Sequence, residues 1–531
     1  MSPAVQDRRA LASEEMPEAP LTGPFGGIQS ELPPTEIEDL GFSDCRNFLL
    51  RFGRADVRPG YSPLPDLPAP SNEAFLGIAD FYTSAGAHVQ CVMTQTRLLQ
   101  YVGGAWVVIT GPGFTGTATD LFVWDILNYK LCFSQGVDKL FIWDGISPNY
   151  SQVATAPPCS VIAEVGNHLL VVDPANPQTY LWSGIADPTD WTSFSSGSNN
   201  LVNNLGPIRN ILKLGQYGSG LHEQGIVQII PTGIGLSPFA FIPIINATQG
   251  TIAKFSLDHY DDQGVEYAVY LGLDNVYVFN GSSVTPIGDA PMQGSRKRVG
   301  ARSRILADVK SGGNVDVIYG FITYSVNGIA CRCYWLVIPN VSVWVYNFDE
   351  GNWVVLTYTG TISTVGVFYA AAGITISELV GTIQAQSWTP DTLDGNNPFP
   401  GFLIGFNNGV GGYVDFTQPS EQAASITSGK LIFGDRRHKH TIKWFRLAIF
   451  DRGATTYSIT LTNEIGVTQT QSFTLGTGSG DVLTYVLPFS ITGLRFVWQL
   501  NIAAGQLGSV VEFAPMYDTS GSQRSGSVDN N

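Results

Sequence analysis

The sequence predicts an all-β protein. Of its 531 residues, 59 are glycine, 11% are aromatic and only 14% are charged. Soluble domains usually contain roughly a quarter of charged residues, so this chain is poor in charge and rich in turn-forming residues. Short stretches with apolar side chains at alternating positions recur between turns, whereas apolar residues spaced three and four apart are rare after residue 40. This pattern indicates many short strands rather than helices.

One strand ending recurs along the chain. It reads LQYVGG at 99–104, LFIWDG at 140–145, TYLWSG at 179–184 and VYVFNG at 276–281. The recurring glycine lies at 103, 145, 184 and 281, so successive gaps are 42, 39 and 97 residues. We expect the long gap to hold one more unit and an insertion around 206–243. A period near 40 with four short strands per unit is typical of a β-propeller, and Asp-Gly or Asn-Gly suits its tight hairpin turns.

An aromatic residue precedes each of these turns. We expect these side chains to fill the space between neighbouring blades, although ordinary core aromatics without a repeat are the alternative; they are Tyr101, Trp143, Trp182 and Phe279. Two later stretches, VWVYNFDEGNWVVLTYTG and FLIGFNNGVGGYVDFTQ, continue the pattern more loosely. Counting units predicts about six blades, with seven as the alternative.

Composition divides the chain into four parts. Residues 1–40 are rich in Pro, Glu and Ala and predict an extended N-terminal arm. Residues 41–418 predict the β-propeller with insertions. Residues 419–518 alternate without the 40-residue unit, which predicts an additional antiparallel β-sandwich domain, and residues 519–531 predict a flexible tail.

Charge and cysteine content restrict the function. The net charge of −16 argues against a protein that grips a nucleic acid backbone, but it is compatible with a surface past which DNA slides. The six cysteines are spread too thinly for a disulfide scaffold, and Cys331 and Cys333 on one strand face predict buried thiols. The first twenty residues lack an apolar leader and no stretch is apolar over about 18 residues, so we expect cytoplasmic synthesis and no membrane span.

The chain offers little evidence of catalytic chemistry. DHYDD at 258–262 suits a metal site, or a solvated loop that begins a new blade; without a second cluster, we favour the loop. GQYGSG followed by His222 lacks the lysine and helix of a phosphate-binding loop. NFDEGNW at 347–353 resembles the Asp-box of sialidase-type propellers, which is a structural turn. We therefore expect no catalytic residues, no cofactor and no metal.

Two basic clusters stand out in the acidic chain. We interpret each as a contact with a partner, with an acidic protein surface preferred over DNA and an ordinary solvated loop as the alternative. The residues of the two clusters are Arg296, Lys297, Arg298, Arg302 and Arg304 in the first, and Arg436, Arg437 and Lys439 in the second.

Three stretches together resemble one family. CRNFLLRFGRADVRPGY at 45–61 resembles the entry segment of many bacteriophage virion proteins, and YLWSGIADPTDWTSF at 180–194 resembles one of their blades. The C-terminal stretches LRFVWQLN and EFAPMYD resemble their closing strands. Over roughly residues 40–518 the chain is similar to the tail nozzle family of short-tailed bacteriophages, also called the tail hub or tail tubular protein B family. It departs from the family in the segment 205–245, which has no clear blade ending, and in its longer, proline-rich arm.

This resemblance implies a structural virion protein. It implies a homohexameric ring in the virion tail, made in the host bacterial cytoplasm, that retains the packaged DNA and conducts it during ejection. The implied partners are the tail adaptor protein, tail fibre, spike or needle proteins, and viral double-stranded DNA that passes through the lumen without sequence-specific binding. An acidic lumen would repel phosphate and so avoid trapping the DNA.

Two other function classes remain as alternatives. One is a carbohydrate-binding or glycan-hydrolysing β-propeller, because the carboxylate pair of a glycoside hydrolase lies roughly 5–10 Å apart in space and a sequence does not locate it. The other is a cellular scaffold for protein partners. Low cysteine content and the lack of an apolar leader disfavour the first, and the familiar closing strands disfavour the second.

Overall fold

The computed structural model describes residues 20–201, 204–291, 298–326, 329–368, 401–415, 418–433, 438–476 and 478–518. Nearly all regular structure in these ranges is strand. The described helices are α1 at Arg302–Gly312 and the short 3-10 turns Lys254–Ser256 and Val315–Val317. The prediction of an all-β fold is confirmed.

Six short strands precede the first complete sheet. They are β1 (Leu21–Thr22), β2 (Gly27–Ile28), β3 (Gly41–Arg46), β4 (Phe48–Arg51), β5 (Arg54–Val57) and β6 (Gly60–Pro63).

Five blades then follow one another, each a sheet of four consecutive antiparallel strands. Blade 1 contains β7 (Phe75–Tyr82), β8 (His88–Thr94), β9 (Leu98–Val102) and β10 (Ala105–Ile109). Blade 2 contains β11 (Val123–Leu127), β12 (Lys130–Ser134), β13 (Phe141–Trp143) and β14 (Ser151–Gln152). Blade 3 contains β15 (Val161–Val165), β16 (His168–Val172), β17 (Thr179–Trp182) and β18 (Gly197–Asn200). Blade 4 contains β19 (Ile208–Leu214), β20 (Tyr217–His222), β21 (Gly225–Pro231) and β22 (Phe239–Pro243). Blade 5 contains β23 (Asp258–Asp262), β24 (Val265–Leu271), β25 (Val276–Phe279) and β26 (Val284–Pro286).

Two further blades complete the ring. A small hairpin of β27 (Asp289–Pro291) and β28 (Arg298–Gly300) leads to α1 and then to blade 6, which contains β29 (Tyr319–Val326), β30 (Ile329–Ile338), β31 (Ser342–Asn347) and β32 (Asn352–Leu356). Blade 7 contains β33 (Ile362–Phe368), β34 (Gly401–Phe406) and β35 (Gly411–Asp415), and the N-terminal strand β6 pairs with β35 as its fourth strand.

The first strands of the blades pack around a common axis. Strand β7 contacts β11, β11 contacts β15, β15 contacts β19, β23 contacts β29, and β33 contacts both β29 and β7. Between blades 4 and 5, β19 contacts β24. The ring therefore closes, and the prediction of a propeller holds with seven blades rather than six. The segment expected to be an insertion, 206–243, is blade 4, whose third strand ends in Pro231 instead of an aromatic and a glycine.

The remaining strands form a two-sheet β-sandwich. They are β36 (Ala424–Ser428), β37 (His440–Phe450), β38 (Thr456–Asn463), β39 (Thr468–Thr474), β40 (Val482–Gly493), β41 (Phe496–Ile502) and β42 (Ser509–Asp518). One sheet has the order β4-β5-β42-β37-β40 with β1 beside β42, and the other has the order β3-β36-β41-β38-β39 with β2 beside β3. Strand β38 shows why this sequence forms a sandwich, because Tyr457, Ile459 and Leu461 are buried while the residues between them face outward.

The N-terminal segment belongs to the sandwich, which corrects the predicted arm of residues 1–40 and the predicted start of the propeller at residue 41. Strands β4 and β5 extend the sheet of β42, and β3 pairs with both β36 and β32 of blade 6. Sheet edges left open attract other strands, and the N-terminal strands cover these edges. Residues 21–57 are therefore part of the folded body rather than an extended arm; residues 1–19 and the predicted tail 519–531 lie outside the described residues.

Candidate functional site

The central channel of the propeller contains a cavity of about 530 Å³. The first strands of blades 2 to 5 line it, together with residues near the start of blade 6. The sequence does not reveal this site, because its acidic residues are scattered over blades 2, 3 and 5. The ionisable side chains that line the cavity are Asp125, Glu164, Lys213, Asp258, His259 and Glu266.

The carboxylates on one side of the channel join blades 2, 3 and 4. Asp125 on β11 accepts a 2.5 Å hydrogen bond from the backbone N–H of Glu164 on β15. The Glu164 carboxylate in turn lies 2.5 Å from Nζ of Lys213 on β19. Burial raises the pKa of Asp125, and this effect outweighs the opposing effect of the hydrogen bonds from the Glu164 and Ile126 amides.

The carboxylates on the other side join blades 4, 5 and 6. Glu266 accepts a 2.5 Å hydrogen bond from the backbone N–H of Gly215, in the first turn of blade 4. Asp258 accepts a 2.6 Å hydrogen bond from the N–H of Ile322 on β29. The hydrogen bond that the His259 ring donates to the Asp258 carboxylate raises the pKa of His259, against the effect of burial. DHYDD thus forms the inner strand β23 rather than the loop that we favoured, and Asp258 binds the next blade.

The described ranges contain neither a cluster of metal ligands nor a helix suited to cross a membrane. No three His, Cys, Asp or Glu side chains there are close enough together to hold a metal ion. Within the same residues, no helix is both long and apolar enough to cross a membrane.

The motif at 45–61 forms the joint between the sandwich and the propeller. It contains β4 and β5, ends in β6, and uses its polar residues in buried contacts. Asn47 donates through Nδ2 to Thr357 at 3.0 Å and to the carbonyl of Ala423 at 2.7 Å. Arg51 and Asp56 form a buried ion pair of 2.9 Å, and Ser509 donates to Asp56 at 2.5 Å. The segment that carries the family resemblance therefore has a structural role.

Arg58 completes this joint. Its side chain is fully buried, donates to the carbonyl of Pro59 at 3.0 Å and lies 2.6 Å from Glu421. The guanidinium carbon lies 4.1 Å from the centre of the Tyr358 ring, a cation–π contact. Burial raises the pKa of Tyr358 to about 12, so the phenol stays neutral.

The described arginines of the first basic cluster form ion pairs within the chain. Arg298 pairs with Asp289, Arg302 lies 3.9 Å from Asp274, and Arg304 lies 2.9 Å from Asp44 on β3. Arg304 thereby links α1 to the sandwich. Of the second cluster, Lys439 precedes β37. Burial raises the pKa of the nearby Glu464 carboxyl, but backbone hydrogen bonds to that carboxyl lower it, and Lys439 adds a smaller lowering effect, so the pKa is lowered. The other predicted partner-contact residues, Arg296, Lys297, Arg436 and Arg437, lie outside the described residues.

The four predicted packing aromatics lie on the third strands of their blades, at blade interfaces. Trp143 contacts Phe81 of blade 1, with ring centres 5.9 Å apart. Trp182 contacts Phe239 of blade 4 at 5.6 Å. Tyr101 shares a cluster with Leu403 and Tyr413 of blade 7, and Phe279 shares one with Leu221 and Ile226 of blade 4.

The remaining motifs, which are His222, NFDEGNW and the cysteines, also make contacts within the fold. His222 is buried between blades 3 and 4, where its Nε2 lies 3.0 Å from the hydroxyl of Tyr180. In NFDEGNW, Asn347 accepts from the backbone N–H of Asp349 at 2.8 Å, which forms a turn between β31 and β32. All six cysteines are buried and free, as the sequence predicts for Cys331 and Cys333.

Comparison with known proteins adds weak similarities. No family model matches the chain, and no curated protein matches it. Among solved structures, it is similar to the computationally designed Ika8 protein, with 7% identity, a TM-score of 0.36, and coverage of 67% of this chain and 99% of that one. It is also similar to the extracellular domain of the hybrid two component system BT4673 from B. thetaiotaomicron, with 10% identity, a TM-score of 0.36 and coverage of 80% and 47%. An exo-beta-1,3-galactanase from Phanerochaete chrysosporium matches with 9% identity, a TM-score of 0.24 and coverage of 87% and 100%. The TM-scores are too low to support a functional conclusion, so the fold rests on the sheets described above.

Proposed function

We propose that this chain is a non-catalytic subunit of the tail nozzle of a short-tailed bacteriophage. Several copies would form a ring, most simply a hexamer, that holds the packaged DNA and conducts it during ejection. The observation that carries the proposal is the joint at 45–61: the segment that resembles virion proteins fixes the sandwich to the propeller through the buried Arg58 and through Asn47, which donates to Thr357 just after blade 6. A subunit that lines a pressurised conduit needs its two bodies held in one orientation.

The contacts of the channel support a structural use of its acidic residues. Asp125, Asp258 and Glu266 each accept a backbone hydrogen bond from a neighbouring blade, which strengthens the ring of blades. The cavity of about 530 Å³ is in the range of small-molecule pockets, roughly 300–1,000 Å³, so a DNA duplex would not run through it. In the proposal, DNA passes along the axis of the oligomeric ring instead.

Three measurements test the proposal. Mass photometry of the purified chain, alone and with its tail adaptor protein, should give assemblies near six times the 57.2 kDa of one copy. Antibodies against the chain should label the tails of virions from the phage that encodes it. Virions without tail label would overturn the proposal, whatever the mass of the isolated protein. A gel-shift assay at physiological salt should show no stable DNA complex, because the chain is acidic.

A glycan-binding or glycan-hydrolysing propeller is the second candidate. One observation favours it: a cavity of small-molecule size is lined by Asp125, Glu164, Asp258 and Glu266, and carboxylates are the catalytic groups of most glycoside hydrolases. Release of reducing sugar from a panel of polysaccharides, lost in the Asp125→Asn and Asp258→Asn variants, would support it. Unchanged sugar release in both variants would assign the activity to a contaminant.

A further inference from the structure

The propeller has one face formed by its hairpin turns. These turns join the first to the second strand and the third to the fourth strand of each blade, and we call this surface the hairpin face. Hydrogen bonds show that such turns lie together, both between blades 2 and 3 and within blade 3. Asn128, between β11 and β12, donates to the carbonyl of Ala186, between β17 and β18, at 3.2 Å. The N–H of Ala186 donates to the carbonyl of Asn167, between β15 and β16, at 2.6 Å.

Large apolar side chains are exposed along the hairpin face of blades 2 to 4. Their exposed fractions are 56% for Tyr129, 63% for Ile146, 61% for Ile185, 76% for Phe194, 61% for Ile234 and 80% for Leu236. Phe194 of blade 3 lies beside the hairpin turn of blade 4, because a Cβ added to Gly235 would lie 3.4 Å from Cε2 of Phe194. Monomeric soluble proteins rarely expose contiguous apolar surface of this kind, so this row marks an interaction site.

The opposite face differs. It is formed by the turns from the second to the third strand and by the connections between blades. Its exposed large apolar residues in the described ranges include Val137, Ile245 and Leu273, and these lie in three separate connections. The apolar row is therefore a property of one face rather than of turns in general.

The charge of the propeller restricts what can bind there. Residues 64–418 contain 26 Asp and Glu but only 13 Lys and Arg. The hairpin turns of blades 2 and 3 themselves carry Asp144, Asp187 and Asp190 among the apolar tips. Two hairpin faces would repel each other, so the partner surface must be apolar without being acidic.

Another surface in the described part of the chain has that character. It is the outer face of the sandwich sheet at β37 and β40, where Val482 and Val486 are 56% and 49% exposed and the half-buried Trp444 and Phe450 lie on the neighbouring strand. Arg54 lies over the Phe450 ring at 4.7 Å. Residues 21–57 and 419–531, which contain the sandwich strands, carry 12 Lys and Arg against 14 Asp and Glu, so this part of the chain is far less negative than the propeller. Aromatic residues and arginine are the side chains that protein interfaces favour.

We propose that the hairpin face of blades 2 to 4 binds the outer β37–β40 face of a second copy of this chain. The sandwich is attached through blade 6, on a different side of the propeller from blades 2 to 4, so one copy can use both surfaces at once. Such a head-to-tail contact between different surfaces generates closed rings when the rotation between copies closes. This contact rests on the proposed function, and it would be the interface between neighbouring copies in the ring.

A pair of matched double variants tests the contact. Phe194→Ser with Leu236→Ser removes the largest apolar tips of the hairpin face, whereas Ile245→Ser with Leu273→Ser removes equally exposed residues from the opposite face. Sedimentation velocity over a range of protein concentrations should show self-association at least about tenfold weaker for the first variant, which corresponds to about 1.4 kcal/mol. The second variant should associate like the unmodified protein, and circular dichroism should show both folded.

Cysteine cross-linking tests which two surfaces meet. Since the six natural cysteines are buried, Leu236→Cys and Val486→Cys supply the accessible thiols. Under oxidising conditions, a mixture of the two single variants should form a covalent dimer that neither variant forms alone. No dimer in the mixture, or unchanged association of the Phe194→Ser, Leu236→Ser variant, would overturn the inference. If that variant still assembles and virion tails are still labelled, only the interface is wrong and the nozzle assignment stands.

Discussion

Arg58 donates a 2.6 Å hydrogen bond to Glu421, which lies 363 residues further along the chain. The contact joins the segment just before β6, the closing strand of the propeller, to the segment just before β36 of the sandwich. Arg58 is fully buried and Glu421 is 28% exposed, so water only partly screens the ion pair. The pair therefore helps to fix the orientation of the sandwich relative to the propeller.

Replacing Arg58 tests this joint. Arg58→Ala should lower the free energy of unfolding by about 3–5 kcal/mol, because it leaves the partner carboxylate and the Tyr358 ring without their buried cation. Urea denaturation followed by tryptophan fluorescence measures the loss. As a control from the same motif, Arg46→Ala removes a half-exposed arginine paired with Asp44 and should cost less than about 1 kcal/mol. Equal effects of the two variants would show that the joint does not depend on burial.

Trp143 tests the packing between blades 1 and 2. Trp143→Ala should lower the free energy of unfolding by about 3–5 kcal/mol, because the buried indole fills the space beside Phe81 and leaves a cavity when removed. Thermal denaturation compares it with Ile146→Ala, which changes a 63% exposed side chain three residues later and should cost no more than about 0.5 kcal/mol. A loss below about 1 kcal/mol for Trp143→Ala would contradict its placement between the blades.

The sequence correctly predicts the short strand endings that recur from blade to blade. The strand endings locate the third strands of blades 1, 2, 3 and 5, because each blade reuses one aromatic position before one turn. Gly103 and Gly104 show the physical cause, since φ values of 58° and 84° form a two-residue hairpin turn that favours glycine. The third strand of blade 4 is not predicted in this way, because β21 ends in Pro231 and lacks the aromatic residue and glycine of the other strand endings.

What the sequence does not predict depends on distant partners. Blade 7 needs β6 beside β35, where Ser62 donates to Asp415 across 353 residues, and alternation within β6 does not reveal that partner. The same holds for β3 to β5, whose place in the sandwich depends on strands near the C-terminus. The channel carboxylates come from separate blades, and the packing of blade 2 against blade 3 is what brings Asp125 and Glu164 together.

Gly220 tests the close contact between blades 3 and 4. A Cβ at this position would lie 2.0 Å from the hydroxyl oxygen of Tyr180, which is itself buried. Gly220→Ala should therefore lower the free energy of unfolding by about 1–3 kcal/mol through overpacking. Gly476→Ala is the control, since an added Cβ there meets nothing within 4 Å. The inference of tight packing fails if urea denaturation gives the same midpoint for both variants.

His222 makes the same interface sensitive to acid. Its Nδ1 lies 2.8 Å from the carbonyl oxygen of Gly206, which only accepts, so Nδ1 carries the proton and Nε2 accepts from Tyr180. Burial lowers the pKa of His222 from its ordinary value of 6.5, against the opposing effect of the Gly206 hydrogen bond. The folded state therefore binds fewer protons than the unfolded state just below pH 6.5. The stability due to neutral His222 is present above this pH and is lost as the pH falls through the folded-state pKa.

A His222→Gln variant isolates this effect, because glutamine does not titrate. Its free energy of unfolding should lie below that of the unmodified protein at about pH 7.5, and the difference should shrink towards about pH 5.5 as His222 becomes protonated. Urea denaturation at a series of pH values measures the difference directly. Carboxylates that titrate in both proteins contribute equally to the two free energies of unfolding, so their contribution cancels in the difference. A difference that stays constant over this range would show that His222 binds protons equally in the folded and unfolded chain.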